Sequence, residues 1–122
     1  VAIVAILASI ALPSYTEYIR RSRISEAVAT LSDMRVKMEQ FFQDNRTYAG
    51  ACTAGTVAPP PASTSSWTFN CGAPSGTGFT ITATGAGPMT GFVYTINQAN
   101  QRATTGVPSG WTASSTCWVL KK

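Results

Sequence analysis

The sequence predicts an α+β fold, a long N-terminal helix packed against a C-terminal antiparallel four-stranded sheet. Three observations carry this reading. The chain opens on an apolar run, VAIVAILASIAL, with no charge and one polar residue, Ser9. Large apolar residues then recur at steps of three and four as far as about Asp44. After Ser66 the period changes to two. The organisation expected is a helix over 1–45, of which 1–23 is an assembly segment, and a head over 46–122 made of a loop and the sheet.

The apolar run sets a physical demand. Val1, Ile3, Val4, Ile6, Leu7, Ile10 and Leu12 are each worth roughly 1.5–3 kcal/mol when buried. Something outside this polypeptide must cover them, so the run is built to insert, to assemble, or both. Its length suits the apolar part of a signal peptide, and Ala8 and Ala11 are small, but no basic segment stands before it. It is also shorter than the ~20 residues a bilayer span needs. We therefore expect it to be retained, as the latter part of a longer hydrophobic segment. Pro13 lacks a backbone donor and crowds the carbonyl of Ser9. Interrupted or stretched helix is expected ahead of it in the assembled state, within Ala5 to Leu12.

Beyond Pro13 the stripe Ile24, Val28, Leu31, Met34 or Val36, Met38, Phe41 and Phe42 marks a core-facing side. Opposite it stand Arg20, Arg21, Arg23, Glu26, Asp33, Arg35, Lys37 and Glu39. Asn45 and Gly50 are the stop signals. Ala51 to Ser66 reads as loop, because the three prolines at 59–61 fit neither a helix interior nor a central strand. Trp67, Phe69 and Cys71 alternate with polar residues, then Phe79, Ile81 and Ala83, then Phe92, Tyr94 and Ile96. A fourth strand is expected at Cys117 to Leu120, after the loop TTGVPSGWTASS. Trp111 lies in that loop and reads as loop packing, with an exposed contact role as the rival.

The chemistry is sparse. Charged residues make up 11% of the 122-residue chain, and the net charge is +4. All five acids precede Asn45, and from Thr47 onward the cations are Arg102, Lys121 and Lys122. These three make a weakly basic surface, or a thin footprint for nucleic acid or another anionic partner. Arg20, Arg21 and Arg23, next to the apolar run, read as a solvated helix turn or as a contact with lipid headgroups. A serine or cysteine nucleophile needs a base, and the sheet region has neither histidine nor acid. No enzyme activity and no cofactor are expected. Zinc is disfavoured by the missing histidine and the wide cysteine spacing, and calcium by the missing acids. Asn45-Arg46-Thr47 fits a glycosylation tripeptide that is common by chance.

Cys52, Cys71 and Cys117 suit an oxidising compartment with one disulfide. We expect Cys52–Cys71, tying the proline-rich loop to the first strand. Cys117 is then free, or paired beyond Lys122. The rival, Cys71–Cys117, would leave a thiol exposed at Cys52, whereas Cys117 is expected to be shielded beside Trp118.

The segment VAIVAILASIALPSYTEYIRRSRISEAV closely resembles the type IVa pilins of bacteria. It has the hydrophobic helix, the proline in an ALP context, the aromatic two residues on, and the basic patch before a SEA-like turn. The later order is also similar: Tyr48 in a loop, a sheet, and TCWV at 116–119. The resemblance implies the pilin fold and a structural subunit of a type IV pilus. Such a subunit sits in the inner membrane, then polymerises through its helix, with the pilus assembly machinery, into an extracellular filament for adhesion, motility or DNA uptake. A minor pilin acting as a DNA- or surface-binding module is the alternative. A pseudopilin of type II secretion is a third reading, and the acid-free head counts against the calcium that it implies. The family's methylated phenylalanine start and nearby glutamate are not in this sequence, and its helix-breaking glycine is replaced by Ala5. The resemblance also implies a further cysteine beyond the CW-K-K end.

Overall fold

A computed structural model describes residues 2–120, with side chains described from Tyr18 onward. Helix α1 runs over Ala2–Asn45. It is followed by strands β1 (Trp67–Asn70), β2 (Thr80–Gly85), β3 (Val93–Asn97) and β4 (Arg102–Gly106), with a 3-10 turn at Gly87–Met89. The four strands lie in sequence order and every pair is antiparallel. This is the α+β arrangement expected.

The helical stripe is the core side of α1. Ile24, Ala27, Leu31, Met34, Met38 and Phe41 are buried, whereas Val36 is 63% exposed, so the stripe passes through Met34. Two groups end the helix. The Asn45 side chain donates to the Phe41 carbonyl at 3.0 Å, and Arg46 turns left-handed at φ 60 while its N–H bonds to the Phe42 carbonyl at 2.6 Å. Side chain and backbone thus satisfy carbonyls that a helix end leaves open. Helix α1 continues through Pro13 in the single chain; the interruption expected ahead of it concerns the assembled state.

One sheet face packs on this stripe. Ile81 lies opposite Ile96, and Ala83 opposite Tyr94, and all four are buried. Trp67, Phe92 and Tyr94 form a ring cluster with centroids 5.7–6.4 Å apart. The Trp67 indole N–H donates to the Arg23 carbonyl at 2.8 Å, joining β1 to the helix. Trp111 stands edge-on to Phe92 at 4.9 Å and is buried, so its role is packing. Gly85 lets the 3-10 turn close over the end of β2, because a Cβ there would lie 1.8 Å from the Met89 carbonyl oxygen.

The fourth strand is not where the alternation placed it. Arg102–Gly106 fills that position, although RATTG has no large apolar residue to signal a strand. Its pairing follows from the tight turn after Asn97, which returns the chain along β3. Cys117 to Leu120 is an irregular segment fastened to β3 and β4 largely by side chains. The Thr104 hydroxyl donates to the Cys117 carbonyl and accepts from the Val119 N–H, both at 2.9 Å. The Tyr94 hydroxyl donates to the Val119 carbonyl, and the Trp118 indole donates to the Thr95 carbonyl at 2.8 Å. The large residues that suggested a strand are packing residues of this clamp.

Two devices hold the loop after the helix. The first is the Cys52–Cys71 disulfide, with Cα atoms 6.4 Å apart. Cys117 is free and exposed, so the shielding expected from Trp118 is absent; that ring instead lies under the Arg102 guanidinium, 4.6 Å away. The bridge closes a loop with a sequence separation of 19. Replacing both Cys52 and Cys71 with serine is expected to cost about 3 kcal/mol. This is read as a lower denaturation midpoint, and reductant should lower the wild-type midpoint but not the variant's.

The second device is Tyr48. Its ring stacks on Phe42 at 4.7 Å and meets Phe79 edge-on at 4.9 Å, and its hydroxyl donates to Glu39 at 2.7 Å. Burial, then the Glu39 hydrogen bond and charge, push its pKa up to about 12. Burial alone pushes Tyr94 higher still. The folded state thus favours neutral phenols. Both contributions are complete below the ordinary tyrosine value of 10.0; that of Tyr48 is lost as pH rises from there through about 12, and that of Tyr94 goes on being lost above it. Alkaline titration should show stability falling over that window, and Tyr48→Phe should remove the Tyr48 share of the fall.

Candidate assembly helix and basic surface

Buried positions on α1 begin at Ile24, while Tyr18 to Arg23 are exposed or half-buried. Among the residues whose side chains are described, the head therefore buries the second half of the helix, from Ile24 onward. Of the residues expected to drive assembly, Val1 lies outside the described residues. Ile3, Val4, Ile6, Leu7, Ile10, Leu12 and Pro13 belong to α1 by backbone, and their side chains lie outside the described residues. Among the described residues no helix is long and apolar enough to cross a membrane.

Among the described residues, Arg20, Arg21 and Arg23 do not share one patch with Arg102. Arg23 reaches Glu26 at 3.4 Å in an exposed pair, and such pairs add little stability. Arg21 borders a cleft of about 390 Å³ lined by Ile24, Ser25, Val28, Ala29 and the half-exposed Leu120. Arg20 is engaged in an interaction of its own. All three arginines are at the foot of the head, where Trp67 holds the Arg23 carbonyl. Arg102 is elsewhere. It opposes Ile96, whose other partner is Ile81, whereas Trp67 opposes Gly85 at the far end of the sheet. Lys121 and Lys122 lie outside the described residues.

Around Arg102 the structure assembles groups that charge alone does not signal. Asn97, Gln98, Asn100 and Gln101 form the turn before it, and this turn borders a polar cleft of about 480 Å³. The signal was available as the dense run NQANQ, which marks a turn by its two asparagines. Among the described residues no group of three or more His, Cys, Asp or Glu side chains is placed to hold a metal ion.

Comparison with known proteins places this architecture. A solved structure of the non-core minor pilin PilV of Neisseria meningitidis superposes with a TM-score of 0.63 over 82% of this chain and 98% of that one. At 18% identity the likeness is one of fold. The type IV major pilin protein PilE1 of Neisseria gonorrhoeae is 33% identical over 61 residues, 50% of this chain and 37% of that protein. The type IV major fimbrial protein FimA of Dichelobacter nodosus is 42% identical over 55 residues, 45% of this chain and 35% of that protein. The chain thus spans little more than a third of the length of these curated relatives. Residues 13–93 match the family described as "Type IV minor pilin ComP, DNA uptake sequence receptor". With the pilin fold and two-thirds of its length in that match, the chain belongs to the type IV pilins, in the ComP minor pilin family.

Proposed function

We propose that this chain is a structural subunit of a bacterial type IV pilus. It is held first in the inner membrane by its apolar segment, then polymerises through that segment, with the assembly machinery, into a helical filament outside the cell. One observation supports the reading: a continuous helix of 44 residues on which, among the side chains described from Tyr18 onward, the first buried one is Ile24. At 1.5 Å per residue, Leu12 stands about 18 Å along the axis from Ile24. Copies of the same helix are the cover that such a run takes in a polymer. Seven aliphatic residues at ~2 kcal/mol give about 14 kcal/mol of gross burial per subunit. Association costs of roughly 4–15 kcal/mol offset most of this at a single contact, so several neighbours per subunit are needed. Head-to-tail contacts that do not close produce a helix rather than a ring. Mass analysis of sheared filaments tests the proposal: peptides of this chain are expected in the fibre, and their absence from intact native fibres rejects it.

A second reading is favoured by a specific observation, the acid-free head. From Asn45 to Lys122 there are four cations and no acid, and the family's description is of a DNA uptake receptor. As a minor subunit, the chain would present this surface to DNA. Binding that falls steeply with salt is the expected signature, and binding insensitive to salt rejects it.

A further inference from the structure

We infer that the β3–β4 turn is the element through which this subunit touches DNA, with Arg102 on a phosphate and Asn100 on a base edge; the inference rests on the DNA-receptor reading above. The turn is rich in amide side chains, and three of them are used to build it. The Asn97 side-chain oxygen accepts from the backbone N–H of Ala99 and of Gln101, each at 3.0 Å. Its amide nitrogen donates to Gln101 at 2.8 Å. The Gln98 side-chain oxygen accepts from the Phe79 N–H at 3.1 Å, tying the turn to the start of β2.

Asn100 and Arg102 stand apart from this scaffold. Asn100 is exposed and left-handed at φ 59, and its side chain has no hydrogen bond with a described residue. Arg102 is exposed and has no ion pair with a described acid. Its guanidinium lies over the ring of Trp118, which is itself buried and pinned to the Thr95 carbonyl. The indole face braces this cation by a cation–π contact, and a guanidinium can give two N–H donors to the oxygens of a phosphate. A carboxamide offers one donor and one acceptor side by side, the pair that matches the exposed edge of adenine.

The cleft beside these two residues, about 480 Å³ with Thr80, Thr95, Ser115 and Thr116 in its walls, is in the size range of small-molecule sites and admits a nucleotide. The walls offer hydroxyls, and no acid in this half of the chain repels a phosphate. A turn already fixed by its own hydrogen bonds loses little freedom on binding. Rigid scaffold, braced cation and unspent amide together make this turn a reader of DNA rather than a solvated loop.

The test uses the full chain in detergent micelles, with a labelled mixed-sequence duplex for affinity and a random-sequence duplex pool for preference. Arg102→Ala is expected to weaken mixed-sequence binding about tenfold and to reduce the salt slope by about one. Arg102→Lys should keep the slope and lose part of the affinity, and Lys37→Ala, a helix cation outside that surface and paired with Asp33, should change little. Asn100→Ala should leave mixed-sequence affinity nearly unchanged and flatten the preference within the pool. If the wild type binds and both Arg102→Ala and Asn100→Ala bind as it does, the turn is not the contact, and the receptor reading stands. If the wild type neither binds the duplex nor enriches any sequence, both fall. If Arg102→Ala weakens heparin equally and Asn100→Ala changes no preference, the base contact is overturned. Should Arg102→Ala disturb folding, seen as loss of the circular-dichroism spectrum, the Arg102→Lys slope and the Asn100→Ala preference decide alone.

Discussion

Ile6→Asp subunits are expected to disappear from assembled filaments while their heads remain folded. In the proposed fibre Ile6 is surrounded by copies of the same apolar helix. A carboxylate placed there loses its hydration without a partner, at a cost of several kcal/mol per ion. That cost is incurred at every subunit and acts against the modest surplus left after association, so the expected yield of sheared fibre is below detection. The head should not respond, because Ile6 is about 27 Å along the axis from Ile24 at 1.5 Å per residue. The Cys52–Cys71 linkage and the circular-dichroism spectrum of the variant should therefore match wild type. Ile6→Val keeps the residue apolar and is expected to assemble normally. Filaments of Ile6→Asp at wild-type yield would remove the apolar run from the fibre core.

The parts of this protein legible in the sequence are those where one physical effect dominates. Helix α1 was readable because burial imposes a repeating stripe over many turns. The step from Leu31 to Met34 and Met38 leaves little choice, and the ambiguity at Val36 was resolved only by packing, which leaves Val36 exposed. Strands β1, β2 and β3 were readable because each alternates large apolar and polar residues against the same helix. Strand β4 was not, since RATTG contributes one buried threonine and little apolar bulk. Its place is set by the hydrogen bonds of Asn97, which no periodicity reports. The segment from Cys117 to Leu120 misled for the converse reason. Trp118 and Val119 look like strand residues, and they are held by the hydroxyls of Thr104 and Tyr94 and by the Thr95 carbonyl. The cysteine pairing was expected correctly on a premise that failed, because Cys117 is exposed. The turn at Asn97 to Gln101 carries no signal in charge, which singles out Arg102 and not the amides that build the turn before it.

Trp67→Ala is expected to be the most damaging single change in the head, lowering stability by about 3–5 kcal/mol. Trp67 is fully buried and is among the largest buried side chains. It touches the rings of Phe92 and Tyr94 and bonds to the Arg23 carbonyl, so truncation opens a cavity between β1 and the helix. Trp67→Phe separates the two contributions. It keeps most of the ring volume and removes the indole N–H, at a net cost of about 0.5–1.5 kcal/mol for the lost hydrogen bond. Denaturant midpoints of the full chain in detergent give both values. The location makes the result informative beyond stability. Among the described side chains Arg23 is the residue before the first buried position on the helix, so Trp67 fixes the sheet to α1 at the edge of the described core contact. A loosened joint there changes how heads are presented around a helical core, and fewer Trp67→Ala subunits should enter filaments than its folded fraction alone accounts for. A folded fraction equal to the incorporated fraction would reduce Trp67 to a core residue with no part in setting that joint.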